Sequence, residues 1–123
     1  MPSHLEVGKR GEDVAARWLS ARRFRILHTN LRLGKLGELD IVAREGGCLV
    51  LVEVKSKIAG QHLGGLVNIT PAKQRKLRDL GAMYLQRFGG DHSSVRFDAL
   101  EVEFADNQLR RHTVRHVRDA FRG

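Results

Sequence analysis

Acidic and basic side chains stand on either side of two adjacent glycines, Gly46 and Gly47. Asp40 precedes the glycines, and Glu53 and Lys55 follow them. Two glycines between apolar segments predict a tight β-hairpin turn, because glycine adopts the positive φ angles that such turns require. If they form the loop, Asp40 lies opposite Glu53. Opposed carboxylates repel each other, and a shared proton or a bound divalent cation would relieve that repulsion.

The same register assigns the two faces of a hairpin over residues 36–58. Glu45 pairs with Cys48, and Val42 faces Leu51. One face is wholly apolar and consists of Leu39, Ile41, Ala43, Val50, Val52 and Val54. Side chains alternate along a strand, so the opposite face ends in Glu38, Asp40, Glu53 and Lys55. Carboxylate oxygens are the ligands that Mg²⁺ or Mn²⁺ selects. The alternative is a solvated, salt-bridged sheet face on which Lys55 pairs with Glu38.

These residues carry a family resemblance. Asp40, followed on the next strand by Glu53-Val54-Lys55, resembles the D…(D/E)-x-K signature of the PD-(D/E)XK nuclease superfamily. GELDIVA followed by LVEVK is similar to the YraN-like family of small predicted endonucleases, as are GEDVAARWL, NLR and RFDAL. The resemblance spans residues 8–104 and continues weakly beyond them.

The resemblance implies a restriction-endonuclease-like core and a nuclease site. Asp40, Glu53 and Lys55 would be catalytic, and Mg²⁺ or Mn²⁺ would be the cofactor. Asp40, Glu53, Glu12 and the Val54 carbonyl would hold the metal, with Glu38 as a possible accessory ligand. Lys55 would position the attacking water or stabilise negative charge on phosphorus.

Glu12 lies in a predicted helix that runs from Gly8 or Lys9 to Arg22. An acidic residue in the first turns of a helix stabilises the positive end of its dipole, which is a sufficient structural role. By helical spacing, Glu12 also lies at the flank of the apolar stripe and can face the sheet. In the related resolvase-type nucleases an acidic residue of the first helix joins the metal site, and the resemblance assigns that role to Glu12.

Composition describes an ordinary globular chain with a strong positive charge. The 123 residues carry a net charge of +8 and a single cysteine, Cys48. One domain is expected over residues 1–123, with a loose lead-in at 1–7 and a basic tail at 105–123. The lone cysteine fits a reducing cytoplasm, and no apolar run is long enough for a membrane span. The charge favours nucleic acid, most simply DNA, over a membrane as partner.

The remaining segments must position and surround the acidic hairpin. A first strand over residues 24–33 ends at Arg32, which can contact phosphate. Residues 59–68 predict a loop over the site. Thr70 and Pro71 predict the start of a second helix that ends before Gly89. Lys73, Arg75 and Lys76 in its first half are candidate nucleic-acid contacts, and Lys73 shares a face with Leu77. A strand over residues 93–104 follows, and then a tail with a short strand and a helix from about Arg115.

These elements predict an α/β (α+β) domain with the order α-β-β-β-α-β, a mixed sheet flanked by helices. The first helix is expected to cover the hairpin face that bears Val42, Leu49 and Leu51. The leading hypothesis is a metal-dependent endonuclease that hydrolyses DNA phosphodiester bonds. Its DNA binding is expected to be either selective for a structure such as a branch, or nonspecific, and not sequence-specific. The alternative is a nucleic-acid-binding or adaptor protein that keeps the fold without cleavage. The sequence does not decide whether two copies of the protein form a homodimer that engages two DNA strands.

Overall fold

The computed structural model describes residues 1–61 and 69–122, so most of the predicted loop at residues 59–68 lies outside the described residues. The elements in chain order are α1 (His4–Ser20), β1 (Arg25–Leu33), β2 (Gly37–Glu45), β3 (Cys48–Ile58), α2 (Pro71–Phe88), β4 (Ser94–Phe104) and β5 (His112–Phe121). The predicted order α-β-β-β-α-β is therefore confirmed, and one further strand follows it.

A single mixed sheet of five strands in the order β1-β2-β3-β4-β5 forms the centre of the fold. All neighbouring strands are antiparallel except β3 and β4, which pair in parallel. Parallel neighbours need a crossover connection, and α2 lies within it. The predicted pairs Glu45–Cys48 and Val42–Leu51 are both present in the hairpin.

The two helices cover opposite faces of the sheet, but the prediction for α1 was wrong. α1 packs on the face that bears Ile41, Ala43, Val50 and Val52. α2 packs on the face that bears Val42, Leu49 and Leu51, through Leu77, Leu80 and Tyr84. Hydrophobic patterning requires a cover on each face, but it does not say which helix supplies it.

The strict alternation predicted for β2 fails at Asp40. Leu39 packs with the α2-side cluster, whereas Ile41 and Ala43 pack with the α1-side cluster. Opposite Asp40, the β1 residue Asn30 has a φ of 50°. A left-handed residue interrupts the regular pleat, and asparagine tolerates that conformation better than most residues. Asp40 therefore lies at an irregular point of its strand.

Both chain ends differ from their predictions. The residues predicted as a loose lead-in begin α1, because the Ser3 hydroxyl accepts a hydrogen bond from the Glu6 backbone N–H at 3.2 Å. Glu6 completes a capping box, which stabilises a helix start. The tail forms the edge strand β5 where a helix from Arg115 was predicted. Within residues 1–61 and 69–122, neither helix combines the length and apolar composition that crossing a membrane requires.

Candidate active site

The site lies where β2 and β3 diverge. The β2–β3 ladder ends at the pair Ile41–Val52, whereas β3 stays paired with β4 as far as Ile58. Beyond that point the Val54 N–H has no ladder partner on β2, and it donates instead to Asp40 Oδ2 at 2.9 Å. The Asp40 carboxyl group thus replaces a backbone acceptor at the fork between the strands.

Asp40 and Glu53 come together at this fork as the first residues beyond the ladder. Their carboxyl groups are near enough for Glu53 to disfavour the ionised form of Asp40. Glu53 is almost fully buried, with 5 % of its surface exposed. Burial raises the pKa of Asp40 to about 8, and the hydrogen bond and charge of Glu53 add to the increase. The Val54 N–H acts in the opposite direction without cancelling it.

Two lysines approach Glu53 from different elements. Lys73 Nζ, on α2, lies 3.2 Å from Glu53 Oε2, and Lys55 Nζ lies 3.7 Å from the same oxygen. Lys73 therefore points into the site, as its helical position predicted. The alternative prediction, an ion pair between Lys55 and Glu38, is wrong. The hairpin ladder ends before those two residues, and Lys55 lies beside Glu53 instead.

Glu12 reaches the same fork from α1, on the opposite side of the sheet from α2. Its carboxyl group lies near the polar side chains of Asp40 and Asn30, and Glu38 contributes a nearby negative charge. Burial raises the pKa of Glu12, although Asp40 and Asn30 act in the opposite direction. The structure thus brings together Glu12, Asp40 and Glu53, which we call the acidic centre, although α1 covers the opposite face of the sheet from the one predicted for it.

Gly11 allows α1 to approach β3 closely, a role that the sequence pattern did not predict. A Cβ atom at Gly11 would lie 1.7 Å from Ser56 Oγ and 2.7 Å from Ser56 Cβ. Any side chain at that position would push α1 away from β3, and Glu12 is the next residue. A glycine within a buried helical stripe was the available signal. The Ser56 hydroxyl is buried there without a hydrogen-bond partner among the described residues.

The other predicted residues lie around the acidic centre without contacting it. Glu38 is exposed and lies opposite Arg32 in the β1–β2 ladder. It lines a groove of about 620 Å³ with Glu12 and Asn30. Arg32, Arg75 and Lys76 are exposed. The Lys76 stem passes over Gly37, where an added Cβ would lie 2.8 Å from its Cε atom. None of these three arginine and lysine side chains has an ion pair within the described part of the chain.

The side chains of the acidic centre are of the chemical type that binds a divalent cation, but they are not arranged around one in this conformation. Three carboxyl groups converge, and the N–H and C=O of one strand residue point to the same side, so the Val54 carbonyl faces the same gap. Within residues 1–61 and 69–122, however, no three acidic, histidine or cysteine side chains are disposed as a metal site. Lys73 and Lys55 supply positive charge beside Glu53 in this conformation.

Comparison with known proteins places the chain in a family. The family model described as "Uncharacterised protein family UPF0102" matches residues 11–102. The chain belongs to family UPF0102. A UPF0102 protein of Symbiobacterium thermophilum is 40 % identical over 116 residues, covering 94 % of this chain and 95 % of its own. UPF0102 proteins of Anaeromyxobacter dehalogenans and Syntrophus aciditrophicus are 38 % and 35 % identical, covering 95 % and 98 % of this chain and 84 % and 92 % of their own.

The UPF0102 match confirms the YraN-like resemblance found in the sequence. It includes Glu12, the whole β2–β3 hairpin and Lys73, so the acidic centre lies entirely within the part of the chain that defines UPF0102 membership. The edge strand β5 lies beyond it.

Proposed function

We propose that this UPF0102 protein is a metal-dependent endonuclease that hydrolyses DNA phosphodiester bonds. The observation that carries the proposal is the proximity of the Asp40 and Glu53 carboxyl groups, with two lysines within 4 Å of Glu53. A protein gains no stability by burying opposed carboxylates, so the pair points to a function that needs them. The D…(D/E)-x-K resemblance to PD-(D/E)XK nucleases supports the same interpretation.

Asp40, Glu53 and the Val54 carbonyl are the groups that would hold Mg²⁺ or Mn²⁺, with Glu12 completing the set. A bound divalent ion supplies Lewis-acid chemistry and makes hydroxide available near neutral pH. Lys55, whose side chain is 46 % exposed, can turn from Glu53 towards a phosphate and stabilise the charge that develops on phosphorus. Lys73 is tied to the carboxylate and keeps the buried pair balanced in the absence of substrate.

Cleavage assays with charge-matched variants test this proposal. Branched, flapped, single-stranded and plain duplex DNA are incubated with Mn²⁺, Mg²⁺ or EDTA. Asp40→Asn should abolish cleavage, and Lys55→Ala should lower its rate by about 10²-fold or more. The controls are Asp79→Asn, at an exposed position on α2, and Lys57→Ala, whose side chain pairs with Glu103. Both controls should cleave at close to the parent rate.

Two results would contradict the proposal. Cleavage that persists in EDTA or in Asp40→Asn would exclude the acidic centre as the catalytic site. Salt-sensitive DNA binding that is indifferent to metal and never leads to cleavage would instead support a nucleic-acid-binding or adaptor protein that keeps this fold. A preference among the DNA structures would decide whether the enzyme is selective for branched substrates.

A further inference from the structure

A second groove lies on the other flank of α1, between that helix and the turn that joins β4 to β5. Its volume is about 430 Å³. We call it the basic groove, and the residues that define it are Arg10, Asp13, Arg17, Trp18, Arg110 and His112. It contains three guanidinium groups and one carboxylate, the reverse of the balance in the acidic centre.

The arginines of the basic groove have no internal partner that would explain them. Arg10, Arg17 and Arg110 are exposed, and within residues 1–61 and 69–122 none of them takes part in an ion pair or a side-chain hydrogen bond. Arg96 and Arg118 differ in this respect, because both bind Glu45. Guanidinium groups left free around a groove favour a phosphate ligand.

The position of the groove relative to Glu12 indicates which phosphates it meets. Arg10 and Arg17 lie on one flank of the buried stripe of α1, and Glu12 lies on the other. The two flanks of an α-helix are about 10–12 Å apart, and the major groove of B-form DNA is about 12 Å wide. A helix of this kind therefore fits between the two backbones of a duplex.

We propose that the basic groove binds the phosphodiester backbone of the second strand of a DNA duplex while the first strand lies at the acidic centre. The inference rests on the proposed function for its substrate, and it makes that substrate double-stranded at the site. α1 then separates the two strands' backbones, with Glu12 facing one and the arginines facing the other. A single strand would fill only the acidic centre and leave the basic groove unused.

The salt dependence of binding tests the proposal without any cleavage. Fluorescence anisotropy in EDTA measures the affinity for a short duplex and for one of its strands, over a range of salt concentrations. The groove variant is Arg10→Ala/Arg17→Ala/Arg110→Ala. The matched control, Arg25→Ala/Arg87→Ala/Arg122→Ala, removes the same charge from exposed positions elsewhere. Each lost phosphate contact reduces the slope of log K against log salt by about 0.9.

In the groove variant, the slope of log K against log salt should decrease in magnitude by about 2–3 for the duplex and by less than about 1 for the single strand. The control should lose less than about 1 from either. Trp18 is the only tryptophan and lines the groove, so its fluorescence gives a local signal. Duplex should change that fluorescence in the parent but not in the groove variant, and the single strand should change it in neither.

Equal slopes for the groove variant and the control would overturn the inference, as would a parent that binds no duplex or binds it without any change in Trp18 fluorescence. The inference and the proposed function can fail separately. Asp40→Asn should keep the full duplex slope while losing cleavage. A protein that binds duplex through the groove but never cleaves would retain the inference and lose the function. A groove variant that cleaves DNA and keeps the parent's duplex slope would retain the proposed function and overturn the inference about the groove.

Discussion

Three groups compete for the Asp40 carboxyl: the Val54 N–H, the Glu53 carboxyl and the Glu12 carboxyl. Only the first favours the ionised form. The position of the Asp40 side chain therefore satisfies the backbone N–H at the fork but disfavours ionisation of its own carboxyl group. Asp40 is accordingly the residue whose ionisation should report most directly on the acidic centre.

The raised pKa of Asp40 predicts a pH dependence of stability. An acid whose folded pKa is about 8, against an ordinary value of 3.8, binds more protons when folded over the intervening range. The stability that it contributes is complete below pH 3.8 and is lost as pH rises through 8. In urea titrations between pH 5 and 8, the free energy of unfolding should fall with pH by up to about 1.4 kcal/mol per unit. Asp40→Asn should flatten this dependence, and an unchanged slope in the variant would contradict it.

Metal should stabilise the parent protein and not Asp40→Asn. A ligand that binds the folded state alone raises the melting temperature by mass action. With Mn²⁺ at about 100 times its Kd, the gain should be about 2.7 kcal/mol. Differential scanning fluorimetry with and without Mn²⁺ makes the comparison, and Asp79→Asn should respond like the parent. An equal shift in Asp40→Asn would place the ion elsewhere on the protein.

At the scale of elements, the contact between α1 and β3 sets where Glu12 can reach. Gly11→Ala should destabilise the protein by about 1–3 kcal/mol, because its Cβ would overlap Ser56. Gly8→Ala lies in the same helix with no heavy atom within 4 Å of its Cβ, so it should be neutral or stabilising by up to about 1 kcal/mol. Chemical unfolding of both variants measures the difference. Equal effects at Gly8 and Gly11 would contradict the close-packing role.

The sequence predicted individual elements better than their arrangement. The Gly46-Gly47 turn fixes the register as far as the pair Ile41–Val52, which leaves Asp40 and Glu53 as the next residues at the fork, and Thr70-Pro71 fixes the start of α2, which directs Lys73 inwards. The sheet face that α1 covers was predicted wrongly because it depends on the strand order, which local periodicity does not encode. The helix predicted for the tail failed for a related reason, since β5 gains its partner only from β4.

At the scale of the whole molecule, a buried network joins β5 to the rest of the sheet. The Asp98 carboxyl, 1 % exposed, accepts hydrogen bonds from the Arg96 side chain and the Asp119 N–H and contacts His116 Nε2 at 2.7 Å. Burial opposes ionisation, but these bonds outweigh it and lower the pKa of Asp98. His116 also packs against Trp18 and Phe24, so the network anchors β5 to α1 as well.

Asp98→Ala should destabilise the protein by about 3–5 kcal/mol, because it removes one of the two carboxylate partners of Arg96 and leaves His116 and the Asp119 N–H without their acceptor. Asp79→Ala, at an exposed position, should change stability by less than about 0.5 kcal/mol. Urea unfolding measures both variants. The lowered pKa also means that the stability from Asp98 is lost as pH falls through its folded pKa, opposite in sign to the effect of Asp40. A variant within 1 kcal/mol of the parent would show that β5 does not depend on this network.

The connection between β3 and β4 determines when the buried charges can be balanced as the chain folds. The hairpin of β2 and β3 closes through two residues and needs no distant partner, whereas β4 must wait for the long crossover. Lys73 lies in that crossover. An early hairpin is therefore expected to bring Asp40 and Glu53 together with only Lys55 beside them, and Lys73 joins them when α2 docks on the sheet.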